Sequence, residues 1–367
     1  TPFRLRSCGG ILDGRAHEMT EHQTLAQHLA EWRGEDPLRY AVSQTVEKIA
    51  DACCAIAEII ALGPLAGRLG EGRGENVDGD IQAELDIRAN DLITQELKSA
   101  PVACVASEEL DLPCGLNAQA PLCVAVDPLD GSSNIDTNVS VGTIFSVLPM
   151  RCAGCQPSAK CFVQKGSKQL AAGYVIYGPQ TALVLTLGEG THIFTLNPDT
   201  GDFCLTRAHV RIPEETHEFA INTSNFRRWD GHVRAYVDDC LKGEEGPHGK
   251  NYNTRWIASL VAECHRIMIR GGIFLYPGDR RPDYHKGRLR LAYECSPIAF
   301  LVEQAGGGAS TGHKAIMDVK PKDIHQRTPL IFGSLQEVEL LEHYYQEAHP
   351  YQERSALFGN RGLFRTG

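Results

Sequence analysis

The stretch that decides the fold is Val124-Ala125-Val126-Asp127-Pro128-Leu129-Asp130-Gly131-Ser132-Ser133-Asn134-Ile135-Asp136. With Leu122 and Cys123 its apolar start reads as a buried strand, which delivers two carboxylates three positions apart into a turn constrained by Pro128 and Gly131. Hard divalent cations take oxygen ligands, so Asp127, Asp130 and the main-chain carbonyl of Leu129 are suited to converge on one or two ions. Gly131-Ser132-Ser133 then offers backbone N–H groups without bulky side chains, the arrangement of an anion nest that cradles a phosphate. Asp, Gly and Ser are also ordinary turn residues, and taken alone the stretch reads more readily as a structural, Asx-type turn.

A second apolar run, Val102 to Ala106, ends in Ser107-Glu108-Glu109. Two adjacent strands with these ends bring four carboxylates to one sheet edge. Such a cluster repels itself and raises its own pKa values unless cations intervene, so a metal site is the natural reading. Upstream, Val42, Val46, Ile49, Cys53, Ile56 and Ile60 fall on one helical face that Gly63-Pro64 ends. After the glycine-rich 70–79 a second helical pattern carries Ile81, Leu85, Ala89, Leu92 and Leu97, with Asp80 at the N-cap position.

Downstream, 143–148, 174–177, 182–187, 192–196 and 203–206 read as an antiparallel meander with turn chemistry between its strands. Beyond residue 209 the pattern alternates again: a helical face from Ile257 to Met268, a strand at 273–276, a helix at 297–304, a strand at 330–332 and a terminal helix at 338–345. The fold class expected is layered α/β or α+β, with alternating helix and sheet layers, mixed sheets and two subdomains. The organisation expected is a leader or extension at 1–18, an N-terminal domain with the metal site at 19–208, a C-terminal substrate domain at 209–348 and a tail at 349–367.

The 367 residues carry 36 Lys and Arg against 46 Asp and Glu, a net charge of -10, and 42% are hydrophobic. Such a chain supports two or three packed domains and excludes disorder as the main state. The acidic balance argues against nucleic-acid binding, which needs clustered Lys and Arg. No stretch is expected to approach the ~18 apolar residues of a membrane span, and the N-terminus lacks the apolar h-region of a secretory signal, so no membrane partner is expected. Thirteen scattered cysteines, an odd number, suit buried thiols in a reducing cytosol, which makes a cytoplasmic location the expectation.

With Tyr293-Glu294 far downstream, these motifs resemble class 1 fructose-1,6-bisphosphatases. The likeness extends to 80–91, 141–145, 171–177, 271–277, 289–307 and 323–327, and so covers roughly residues 20 to 348. The Asp-Pro-Leu-Asp-Gly core is shared with inositol monophosphatases; the Ser-Ser-Asn-Ile-Asp extension and the C-terminal blocks select the sugar bisphosphatase. The resemblance implies the sugar-phosphatase fold and hydrolysis of the 1-phosphate of fructose 1,6-bisphosphate, in gluconeogenesis or the Calvin cycle. Sedoheptulose 1,7-bisphosphate is a second candidate substrate, and an inositol-phosphate or nucleotide phosphatase the alternative of the same superfamily. It implies two or more Mg²⁺ per subunit, replaceable by Mn²⁺, on Glu108, Asp127, the Leu129 carbonyl, Asp130 and Glu294, with Asp80 on a further ion. It gives Glu109 and Asp86 the task of orienting and deprotonating the attacking water. Asp130, Gly131, Ser132 and Ser133 would hold the 1-phosphate, and Asn222, Arg255, Tyr276 and the Arg288–Arg290 segment the far one.

In the family the position of Arg255 reaches a neighbouring subunit, which implies a homo-oligomer, usually a tetramer. Where the family commonly carries Tyr, Tyr and Lys around the sugar phosphate, this chain has Asn225, Trp256 and Arg288. The loop that binds AMP in animal members is not matched at 34–38. Cys152, Cys155 and Cys161 fall where chloroplast members carry a redox insert, which makes them candidate redox cysteines.

Overall fold

A computed structural model describes residues 22–67, 69–75, 81–151, 158–282 and 284–346. The expected leader and tail, Asp80, Cys152 and Cys155 lie outside the described residues.

Helix α1 (Leu25–Arg33) opens on a capping box in which Thr24 and Gln27 each bond the other's backbone N–H through their side chains. Helix α2 (Pro37–Leu62) follows; Asp36 accepts from the N–H groups of Leu38 and Arg39, and Pro37 sits where a helix needs no N–H. The cap thus starts the helix five residues before its apolar periodicity shows. Val42, Val46, Ile49, Cys53 and Ile56 are buried, as the spacing predicts, while Ile60 at the end of the stripe is only partly buried. Within Pro37–Ala66 an 18-residue window reaches a mean hydropathy of 1.8, so the segment is long and apolar enough to cross a membrane by length and composition. The expectation that no stretch approaches that length misses it because Asp51 and Glu58 interrupt the apolar residues of 49–66. Its apolar stripe is instead part of the core.

Strands β1 (Gly72–Glu75) and β2 (Ile81–Ala83) pair antiparallel and feed α3 (Glu84–Leu97). Ile81 therefore belongs to a strand, and the N-cap is Ala83, not Asp80. Asp86 supplies what Ala83 lacks: its Oδ2 accepts from the Ala83 N–H at 2.7 Å.

Strands β3 (Val102–Ser107), β4 (Cys114–Gly115), β5 (Leu122–Asp130), β6 (Val141–Pro149), β7 (Ala171–Tyr177), β8 (Thr181–Thr186), β9 (Thr191–Leu196) and β10 (Phe203–Arg207) form one sheet in the order β10-β9-β8-β7-β6-β5-β3-β4. From β5 to β10 it is the antiparallel meander the turns predict; β3 and β5 are parallel, so they end at the same edge. The expected turn at Asp127–Asp130 is corrected. β5 runs through both acids, its register with β6 slipping between the pairs Asp127–Ile144 and Asp130–Gly142. Pro128 cannot donate to the ladder and its carbonyl takes the Thr143 hydroxyl at 2.9 Å, so the strand bulges and turns only at Gly131, where φ is +78°.

In the C-terminal half come β11 (Glu218–Ile221), α4 (Gly231–Leu241), β12 (Asn253–Thr254), α5 (Leu260–Arg270), β13 (Ile273–Tyr276), β14 (Leu289–Arg290), α6 (Ser296–Gln304), β15 (Gly308–Ser310), β16 (Arg327–Thr328), β17 (Leu330–Gly333) and α7 (Leu335–Gln346). A mixed five-stranded sheet runs β12-β11-β13-β17-β15. The layers alternate as expected. Helices α1 to α3 cover one face of the large sheet. Leu260 and Val261 of α5 and Ile298 and Leu301 of α6 fill the space between Ile144 and Val184 of the large sheet and Phe274 and Phe332 of the small one. Val233 of α4 and Leu341 of α7 close the outer face.

Candidate active site

Because β3 and β5 end together, Glu108 and Asp127 meet at one edge, and the Glu108 N–H donates to the Val126 carbonyl at 3.1 Å. Glu294 arrives from the other half of the chain on a single π turn, Leu291–Cys295, that runs into α6. Such a turn widens the helix by one residue and re-aims the side chain. Glu294 Oε2 is fixed by the Arg290 N–H at 2.6 Å, and its carboxylate, with those of Asp127 and Asp130, presents oxygens all within 4.8 Å of one another. The Leu129 N–H fixes Asp127 Oδ1 at 3.0 Å. Asp130 Oδ2 accepts from the Ser259 hydroxyl at 3.2 Å and from the Val261 N–H at 3.0 Å, so it also caps α5 and ties the two sheets together. That approach needs Gly142, where a Cβ would lie 2.6 Å from the Val261 side chain and 2.4 Å from the Val175 carbonyl. Asn134 locks the same junction by donating to the carbonyl of Ala258, a residue held at φ +62°.

Burial and mutual repulsion hold these acids well above the usual carboxylate range. Burial, with Glu108 next, pushes Glu294 up to about 8 against the pull of Arg290. Burial outweighs the Val261 and Ser259 donors and puts Asp130 at about 6. Asp127 is raised by burial and by Glu108, Asp130 and Glu294. Asp86, at the start of α3, is pushed up to about 7 by burial, with Glu109 and Glu108 adding to it against its Ala83 bond. Asp86 Oδ1 is buried and takes no hydrogen bond from the described residues. A dense set of hard oxygens whose ionised forms are this disfavoured fits a divalent cation, which would restore the charged state.

Sequence reasoning places Arg290 with the far phosphate, and the structure corrects this. Its Nη1 lies 2.9 Å from Glu108 Oε1, because the Leu289–Arg290 strand and the π turn after it aim the side chain into the carboxylates. Ser259 and the Val261 amide were missed altogether, although a Ser just before an apolar helical face is an N-cap signal.

The remaining predicted residues separate into two groups. Asn222, Tyr276 and Arg288, with Asn225, line one small pocket. Arg288 lies with its guanidinium 4.5 Å above the Tyr284 ring and 6.0 Å from that of Tyr276. Asn222 Oδ1 is engaged by the Ser224 N–H at 3.1 Å. Trp256 does not line this pocket; it backs Tyr276, stacked at 6.1 Å, and Phe274 at 5.9 Å. Arg255 also stands apart, its Nε 3.4 Å from Glu218. Cys161 is buried beside Cys104 and Cys123.

Repelling acids at a sheet edge, next to a glycine turn fit for an anion and inside alternating helix and sheet layers, define a metal-dependent phosphomonoesterase with the sugar-phosphatase fold. Residues 23–208 match the family described as fructose-1-6-bisphosphatase, N-terminal domain, and 212–346 the one described as its C-terminal domain. A class 1 fructose-1,6-bisphosphatase of Nitrobacter hamburgensis is 54% identical over 95% of this chain and 100% of its own length. One of Rhizobium meliloti is 52% identical over 94% and 99%. The crystal structure of Leishmania major fructose-1,6-bisphosphatase in holo form superposes with a TM-score of 0.83, at 34% identity, over 89% of this chain and 99% of that one. The chain belongs to the class 1 fructose-1,6-bisphosphatase family.

Proposed function

We propose that the chain hydrolyses the 1-phosphate of fructose 1,6-bisphosphate to give fructose 6-phosphate and phosphate. One observation carries this reading: a family member keeps a buried acid cluster with raised pKa values and a separate pocket lined by Asn222, Asn225, Tyr276 and Arg288. Two or more Mg²⁺, or Mn²⁺ in their place, would sit on Glu108, Asp127, the Leu129 carbonyl, Asp130 and Glu294, with Asp80 on a further ion. Bound there, the ions neutralise charge on the phosphoryl group and acidify a water. Asp86, at about 7, is tuned to accept a proton near neutrality, and Glu109 beside it orients the water. Gly131, Ser132 and Ser133 hold the 1-phosphate. Asn222, Tyr276 and Arg288 hold the 6-phosphate, with Trp256 keeping Tyr276 in place and Arg255 serving a neighbouring site in a homotetramer. The domain division at 208–209, a cytoplasmic location and service in gluconeogenesis or carbon fixation belong to the same reading.

The test compares phosphate release from fructose 1,6-bisphosphate, sedoheptulose 1,7-bisphosphate and inositol 1-phosphate, with and without Mg²⁺. Mg²⁺-dependent release from fructose 1,6-bisphosphate is expected to be the fastest. Absence of release from either sugar bisphosphate overturns the reading.

A further inference from the structure

Four residues before their carboxylates, strands β3 and β5 carry a second cluster. Cys104 and Cys123 are partners across the parallel ladder, with Sγ atoms 3.5 Å apart. Met150 places its Sδ 3.3 Å from Cys123 Sγ. Cys161 completes a trio in which all three Sγ atoms lie within 4.8 Å of one another. Cys104 and Cys123 have no exposed surface, and Cys161 keeps 5%, which makes it the solvent side of the trio. All three are free thiols, packed among Phe162, Tyr293 and Ile324.

The residue types are informative. Ala106, Ala125 and Leu148 share this cluster, so others of its positions are filled by purely apolar side chains. Among these, four sulfur atoms converge from four places in the chain. The sulfur set and the carboxylate set lie on the same two strands, yet they offer opposite ligand chemistry. Thiolate and thioether sulfur select soft cations, whereas carboxylates select Mg²⁺ or Mn²⁺.

We propose that Cys104, Cys123 and Cys161, with Met150 as a thioether ligand, form a binding site for a soft, thiophilic cation, Cu(I) foremost. Each coordinating thiol releases its proton to solvent and binds as thiolate, and no electron is transferred. A thioether among the ligands favours Cu(I) over Zn²⁺, whose structural sites are built from thiolate and imidazole. The site is separate from the Mg²⁺ chemistry and does not depend on it.

Anaerobic, metal-free protein titrated with Cu(I) against bicinchoninate tests the proposal, read by sulfur-to-copper charge-transfer absorption and by copper X-ray absorption. One tight equivalent per chain with three or four sulfur neighbours is expected. Cys123→Ser and Cys161→Ser are each expected to weaken it by at least about 10-fold, the scale on which even outer-shell changes act. Met150→Leu should remove one long sulfur distance from the absorption spectrum. Mg²⁺-dependent phosphate release by the variants serves as the check that they fold. Equal Cu(I) affinity in the wild type and in both serine variants overturns the assignment. So does loss of the ion from Cys152→Ser/Cys155→Ser while Cys123→Ser retains it.

Discussion

Glu218 and Glu337 are as deeply buried as Asp127 and Glu294, but the chain treats them differently. Glu218 receives Arg266 at 2.6 Å, Arg270 at 2.7 Å and Arg255 at 3.4 Å. Glu337 receives Lys250 at 2.5 Å and the hydroxyls of Tyr236 at 2.7 Å and Tyr252 at 3.0 Å. These acids are closed: the fold supplies their counter-charges and donors. At the β3–β5 edge the dominant charged neighbours of Asp127 are other acids, and Arg290 answers Glu108. The same residue type is thus structural at one place in the molecule and left wanting a cation at another, and Glu294 shows that the division does not follow the two halves of the chain. That difference separates a binding site from a buried ion pair.

The sharpest way to break the comparison is to make one substitution type in both places. Asp127→Asn removes a charge that its neighbours repel, so phosphate release should fall by about 10³-fold or more, the scale lost when a charge-stabilising group leaves a phosphoryl-transfer site. The metal-free variant should melt no lower than the wild type. Glu337→Gln should do the reverse. It strands Lys250 beside a neutral group and lowers stability by about 3 kcal/mol, read by the denaturant midpoint, with kcat unchanged. An Asp127→Asn enzyme that still turns over would erase the distinction.

Metal removal sharpens it next. Glu294 is raised from 4.5 to about 8 and Asp130 from 3.8 to about 6. With folded-state values above unfolded ones, the metal-free fold retains protons that the unfolded chain has lost. Its stability is therefore greatest at low pH in this window and declines as pH rises from about 4 through about 8. Mg²⁺ should raise Tm more at the upper end of that window than at the lower. A metal-free Tm that does not change across it would show that the site's charge is balanced from within.

Local patterns carried much of this into the sequence. That two adjacent strands bring their acids to one sheet edge followed from two apolar runs each ending in acid, and the core stripe of α2 followed from spacing. What stayed hidden was what pairing decides. The bulge that keeps Asp127–Asp130 in the strand depends on the register with β6. The π turn that aims Glu294 has no local signature in Leu291-Ala292-Tyr293-Glu294-Cys295. Arg290 and Arg288 are two residues apart in a basic run and look alike; only the short strand Leu289–Arg290, which takes in one and not the other, sends Arg290 into the carboxylates and leaves Arg288 over Tyr284. The sulfur cluster was equally illegible, since Cys104, Cys123, Met150 and Cys161 share no motif and meet only when the sheet forms.

That divergence of two arginines yields the smallest effect and a precise one to measure. Arg288 stands over aromatic rings in the pocket of Asn222 and Tyr276, away from the reacting phosphate, so its contribution should be to binding substrate and transition state alike. Arg288→Ala is then expected to raise KM for fructose 1,6-bisphosphate about 10-fold with kcat little changed, the loss of one charge-assisted pair to phosphate. Arg288→Lys, which keeps the charge but not the planar fork or the stacking on Tyr284, should fall between the two. Steady-state kinetics at saturating Mg²⁺ separate the outcomes. A fall in kcat without a rise in KM would move Arg288 to the same side of the comparison as Arg290, among the groups that serve the carboxylate site.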